Sequence, residues 1–75
     1  MKATRVHAGQ SSFLVELDDE RYFRVPWSVS QKLAAADEFE RDVTNLLGSG
    51  RGIHWPLLDE DLSVEMLVRD YGPHR

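Results

Sequence analysis

Apolar and polar residues alternate through the first third of the chain, give way to helix-like spacing, and then alternate again. From Lys2 to Ala8, Thr4, Val6 and Ala8 fall on one face of an extended segment and Ala3, Arg5 and His7 on the other. That is a weak strand, suited to a sheet edge. After the turn residues Gly9-Gln10-Ser11, the segment Ser12 to Leu17 is a firmer strand. Phe13, Val15 and Leu17 share one of its faces, Leu14 and Glu16 the other. Asp18-Asp19-Glu20 makes a polar hairpin loop without the glycine that the tightest turns favour. Arg21 to Val25 returns with Phe23 and Val25 inward and Tyr22 and Arg24 outward, and Pro26 ends it. The pattern predicts a three-stranded antiparallel meander.

Helical signals follow. Ser28-Val29-Ser30-Gln31 has the form of a capping box, with the Ser28 hydroxyl as cap and Gln31 reaching back, and Lys32 to Ala36 continues with good helix formers. Asp37-Glu38-Phe39-Glu40 repeats the signature. A strong cap inside one continuous helix would be wasted, so two short helices meeting near Ala36 are predicted. Leu33, Phe39 and Val43 are their expected apolar contacts to the sheet.

Val43 to Leu47 leans towards strand, Gly48-Ser49-Gly50 turns, and Ile53 and Trp55 then point one way and His54 the other, which predicts a second hairpin stopped by Pro56. Asp59, Glu60 and Asp61 are expected in a turn, complementing the positive end of a last helix capped by Ser63. Leu62 can staple onto Leu67, and Gly72-Pro73 stops the helix. The expected fold is a small α+β domain over residues 1–75, in the order β-β-β-α(α)-β-β-α: an antiparallel meander plus a C-terminal hairpin, packed with two or three short helices.

With 75 residues and no cysteine, the chain has neither disulfides nor thiolate metal sites to reinforce a core of near-minimal size. A dimer interface or a partner protein is therefore a natural source of further burial. No signal-like or membrane-spanning apolar run is present, which points to the cytoplasm. The net charge of −4 argues against nucleic-acid binding by the lone chain, although Arg5, Arg21, Arg24 and Arg51 could assemble a basic face in a dimer.

His54 with Asp59, Glu60 and Asp61 is the cluster nearest to a metal or acid–base site. A second histidine at a recognised spacing is missing, and three adjacent acids on a turn cannot converge on one ion. They are read as structural, and neither a metal nor a cofactor is expected. The serines, with His7 and His74, show no spacing that suggests a catalytic triad. Gly48-Ser49-Gly50-Arg51-Gly52 lacks the lysine and the strand-to-helix context of a phosphate loop. No enzymatic activity is expected. Trp55 is expected to plug one end of the sheet. Trp27, beside the strand end, is either a lid on the core or a partner contact, and with Tyr22 and Arg24 it forms the candidate protein-binding set.

The run Gly52-Ile53-His54-Trp55-Pro56, followed by Leu58-Asp59-Glu60-Asp61-Leu62-Ser63-Val64 and Leu67, resembles the C-terminal signature of a bacterial family, the domain of unknown function numbered 2442. The segments Leu14 to Asp19 and Phe23-Arg24-Val25-Pro26 are similar to its opening hairpin. Members often carry an aromatic shortly before the glycine turn, where this chain has Val43 and Thr44. The resemblance implies a small α+β domain without established catalytic residues. It also implies a gene neighbour encoding a second small protein, as in toxin–antitoxin modules. The expected function is thus a non-enzymatic, antitoxin-like regulatory protein that binds its neighbour's product. A dimeric DNA-binding autoregulator and a phage-type inhibitor of a nucleic-acid-binding protein are the alternatives.

Overall fold

The computed structural model describes residues 1–73; His74 and Arg75 lie outside them. β1 (Ala3–Ala8), β2 (Ser12–Leu17) and β3 (Tyr22–Pro26) form one antiparallel sheet with β2 in the middle. A 3₁₀ turn at Trp27–Val29 leads into α1 (Gln31–Ala35) and α2 (Glu38–Asp42). A second antiparallel sheet follows, built from β4 (Asn45–Leu47), β5 (Gly52–Trp55) and β6 (Glu60–Ser63), and α3 (Val64–Tyr71) comes last. The architecture is α+β, in the order β-β-β-α-α-β-β-β-α. The sheets approach each other where β1 meets β4, and α3 touches both β3 and β6. Between them lies the core: Phe13, Val15 and Leu17 of β2, Phe23 and Val25 of β3, Ile53 and Trp55 of β5, with Leu33, Val64 and Leu67 from the helices.

β2 keeps the expected alternation, since Phe13 lies opposite Val25 and Val15 opposite Phe23. β1 is an edge strand but does not alternate as predicted. Ala3 pairs with Leu17 and Arg5 with Glu16, so Thr4 is an extra residue. Such a bulge resets the two-residue period. Ala3 thereby joins Val6 and Ala8 on the inward face and is buried, whereas Thr4 is exposed. The cause is tertiary. The Ala3 N–H donates to the Gly50 carbonyl at 2.7 Å, pinning β1 to the turn between β4 and β5. Gly50 has φ +99°, and a Cβ on it would stand 2.2 Å from the Ala3 carbonyl oxygen.

The first hairpin closes without glycine because Glu20 accepts the left-handed conformation, with φ 70°. Asp19 supports it: its carboxylate accepts from the Arg21 backbone N–H at 3.1 Å and from the Arg21 guanidinium at 2.7 Å. The backbone bond, aided by that guanidinium, holds the Asp19 carboxyl below the usual aspartate range.

Three further expectations are corrected. The cap of α1 is Ser30 rather than Ser28: its hydroxyl accepts from the Leu33 N–H at 3.3 Å, and the residues just before it form the 3₁₀ turn. Ser30 wins because its hydroxyl also donates to the Glu60 carboxylate, tying α1 to β6. Phe39 is 69% exposed. α2 is held through Arg41, and two residues of helix turn Phe39 about 200° away from it. The acids Asp59 to Asp61 do not form a loop feeding α3, because Glu60 and Asp61 open strand β6. Pairing with β5 overrides their poor strand propensity. The capping box at Asp37 and Glu40 and the Ser63 cap of α3 are present as expected.

Gly50→Ala is expected to destabilise the fold by roughly 2–4 kcal/mol, since strain and a backbone clash add. Gly48→Ala, at φ +57° but with its nearest neighbour 3.6 Å away, is expected to cost about 1 kcal/mol. Urea unfolding of the two variants measures the difference, and equal losses would mean that the approach to Ala3 is not the constraint. By the same measurement Ser30→Ala costs about 1–2 kcal/mol and Ser28→Ala stays within about 0.5 kcal/mol of the parent chain.

Candidate interaction surface

Alternation and register together build the outward face of the first sheet. Arg5, Glu16 and Tyr22 make one row across β1, β2 and β3, and His7, Leu14 and Arg24 make the next. Tyr22 is 64% exposed, and Arg5 and Arg24 are exposed as well. The His7 imidazole meets the Glu16 carboxylate through Nε2. Neither Arg5 nor Arg24 makes an ion pair among the described residues. The inward residues of β2 and β3 and Ala3 of β1 lie in the core, with Val6 packed against it, so this face is presented on a rigid support.

Trp27, the third member of the predicted binding set, does not share the face. It is 4% exposed and packs 4.9 Å from Phe13. Its indole N–H donates to the Gly9 carbonyl at 3.0 Å, as a buried indole requires. The Arg41 guanidinium lies over the indole ring, 4.7 Å from its centroid. Trp27 is the lid of the core.

The signature residues divide between packing and surface. Ile53 and Trp55 are fully buried, and the Trp55 indole N–H donates to the Arg41 carbonyl at 3.3 Å. Gly52 lies opposite both Leu47 and Ser63, and Pro56 begins the turn to β6. Asp59 closes that turn with φ 50°, and its carbonyl accepts from the Lys32 ammonium at 3.0 Å. Glu60 reaches Ser30, whereas Asp61 meets His54 Nδ1. Strand alternation thus sends neighbouring acids to different partners. The His54–Asp61 pair resembles a base with its orienting carboxylate. In the next row the Ser63 hydroxyl is engaged in accepting the Met66 N–H.

Sequence reasoning named Tyr22 and Arg24, and grouped Arg5 with Arg24 only as part of a basic face, but missed His7, Leu14 and Glu16 as their neighbours. The signal was present, since alternation already sets Arg5 with His7 and Leu14 with Glu16. It also missed Arg41, whose role depends on contacts no local pattern encodes. Open clefts among the described residues lie elsewhere, one of about 590 Å³ being lined by Met1, Arg51, Ser63, Glu65 and Val68. Another, about 460 Å³, runs between Ala8–Gln10 and α2. No helix among the described residues is long and apolar enough to cross a membrane.

Fold and surface define a small α+β domain with an exposed, aromatic- and arginine-bearing sheet face. The chain belongs to the family described as Protein of unknown function (DUF2442), whose model matches residues 3–72. No curated protein matches it. It is similar to a crystal structure of a protein of unknown function from Rhodospirillum rubrum, with a TM-score of 0.84 and 26% identity. That match covers 99% of this chain and 92% of the other.

Trp27→Ala is expected to cost roughly 3–5 kcal/mol, a large share of the roughly 4–11 kcal/mol usual for a chain of this length. Tyr22→Ala is expected to stay within about 1 kcal/mol. Denaturant midpoints for the two variants check this separation of core from surface.

Proposed function

We propose that this chain is a non-enzymatic protein-binding module, the antitoxin-like regulatory member of a two-gene pair, which docks its partner through the outward face of β1–β3. The observation that carries the docking surface is Tyr22, exposed beside Arg24 and Glu16 on a sheet face that also bears Leu14 and Arg5 and is backed by the core. Tyrosine and arginine are the residues that most often anchor interfaces. A rigid support lowers the entropy lost on association. The two-gene context is what the family resemblance implies.

A DNA-binding autoregulator is the second reading, favoured by Arg5 and Arg24 sharing one face. It gathers two of the four arginines needed, because Arg21 is held by Asp19 and Arg51 follows the glycine turn of the second sheet.

The test is co-purification with the product of the adjacent gene. A stable complex is expected, weakened roughly 30-fold by Tyr22→Ala, a loss of about 2 kcal/mol typical of an anchor. Absence of a complex, or one indifferent to Tyr22→Ala, would overturn this reading. A salt-sensitive shift of promoter DNA by the chain alone would replace it with the second.

A further inference from the structure

We infer that the outward face of β1–β3 receives an acidic protein segment; this rests on the protein-binding reading and adds the chemistry of the partner. The whole chain carries −4, which on its own would suggest a basic partner. The face departs from that average. It holds two guanidiniums, Arg5 and Arg24, against one carboxylate, Glu16, and that carboxylate is already engaged by His7. Both arginines are left with their donor forks free of any ion pair among the described residues. A planar guanidinium binds a carboxylate through two parallel N–H donors, so free Arg24 beside Tyr22 and free Arg5 two strands away on the same face are matched by a segment with several spaced acids around an apolar or aromatic residue.

The composition of the face separates this occupant from the others. Tyrosine and arginine are enriched at protein interfaces, and half-buried Leu14 supplies an apolar patch in the middle strand. A phosphate backbone laid across the same strands would meet Glu16 between Arg5 and Tyr22, which opposes the neutralisation that nucleic-acid binding depends on. A second copy meeting face to face would bring arginines near arginines or towards a Glu16 already held by His7.

The experiment titrates the ¹⁵N-labelled full chain with a decaglutamate peptide and, separately, with a ten-nucleotide oligothymidylate at low ionic strength. Decaglutamate is expected to shift the amide resonances of Arg5, Leu14, Tyr22 and Arg24. Arg5→Glu or Arg24→Glu should weaken it about tenfold, and Glu16→Gln should tighten it about threefold. The last is a gain that loss of structure does not produce. Shifts centred on Arg51 or Lys32, no shift with decaglutamate, or tighter binding of the oligothymidylate to this face would each overturn the inference. The adjacent gene's product is then tested with Arg24→Glu. A complex that forms but ignores this reversal sinks the acidic partner and leaves the protein-binding reading standing. Failure of any complex to form sinks the reading beneath both.

Discussion

The fold depends on three aromatic rings locked by one arginine. Phe13, Trp27 and Trp55 come from β2, the 3₁₀ turn and β5, so their mutual contact joins both sheets and the connection between them. Phe13 and Trp27 each meet Trp55 at a steep angle, the edge-to-face geometry that the ring quadrupole favours. Arg41 then secures the group from the helical side. Its guanidinium covers Trp27 and donates to the Leu33 and Ala34 carbonyls at the end of α1, while its own carbonyl receives the Trp55 N–H. A stacked cation contributes about 0.5–2 kcal/mol, yet its larger effect is geometric. One residue satisfies a helix end, a buried indole and the packing of α1 against α2.

Whatever obeyed a local period was legible in the sequence. β2, β3 and β5 follow from the alternation of Phe13, Val15, Phe23, Val25, Ile53 and Trp55, and the Asp37 box and the Ser63 cap follow from three-residue spacings. The departures occur where a contact between elements overrules the local pattern. Thr4 bulges because Ala3 must reach Gly50, and Ser30 replaces Ser28 because Glu60 is there to receive its hydroxyl. Glu60 and Asp61 enter a strand because β5 offers a ladder. The first two contacts join the first half of the chain to partners no window of ten residues contains, whereas the third is a short-range pairing that the run of three acids concealed. The candidate surface was half legible for a related reason. Tyr22 and Arg24 were outward by period, but their neighbours required the register between strands.

Trp27 and Tyr22 illustrate why residue type alone does not separate a core residue from an anchor. Both are large aromatics in or next to the third strand and both carry a polar group that needs a partner or water. Position relative to Pro26 decides between them. Tyr22 lies within the alternation and is held outward by its pairing with Glu16, whereas Trp27 follows the strand end, where the 3₁₀ turn folds it back over Phe13. The stabilising aromatics and the exposed one are therefore on opposite sides of the same sheet.

That separation bears on how a small domain can bind at all. A chain of 75 residues has few side chains to spare, and one that drew its anchors from its own core would lose its fold whenever the surface changed. Here the inward rows of β2 and β3 hold the structure and the outward rows are free to vary. Charge obeys the same division. Asp19, Asp37 and Glu60 are occupied in turns, caps and strand ties, so part of the chain's negative charge is committed to structure. Net charge consequently says little about the docking face, whose character is set locally by Arg5, Arg24 and the carboxylate that His7 already holds.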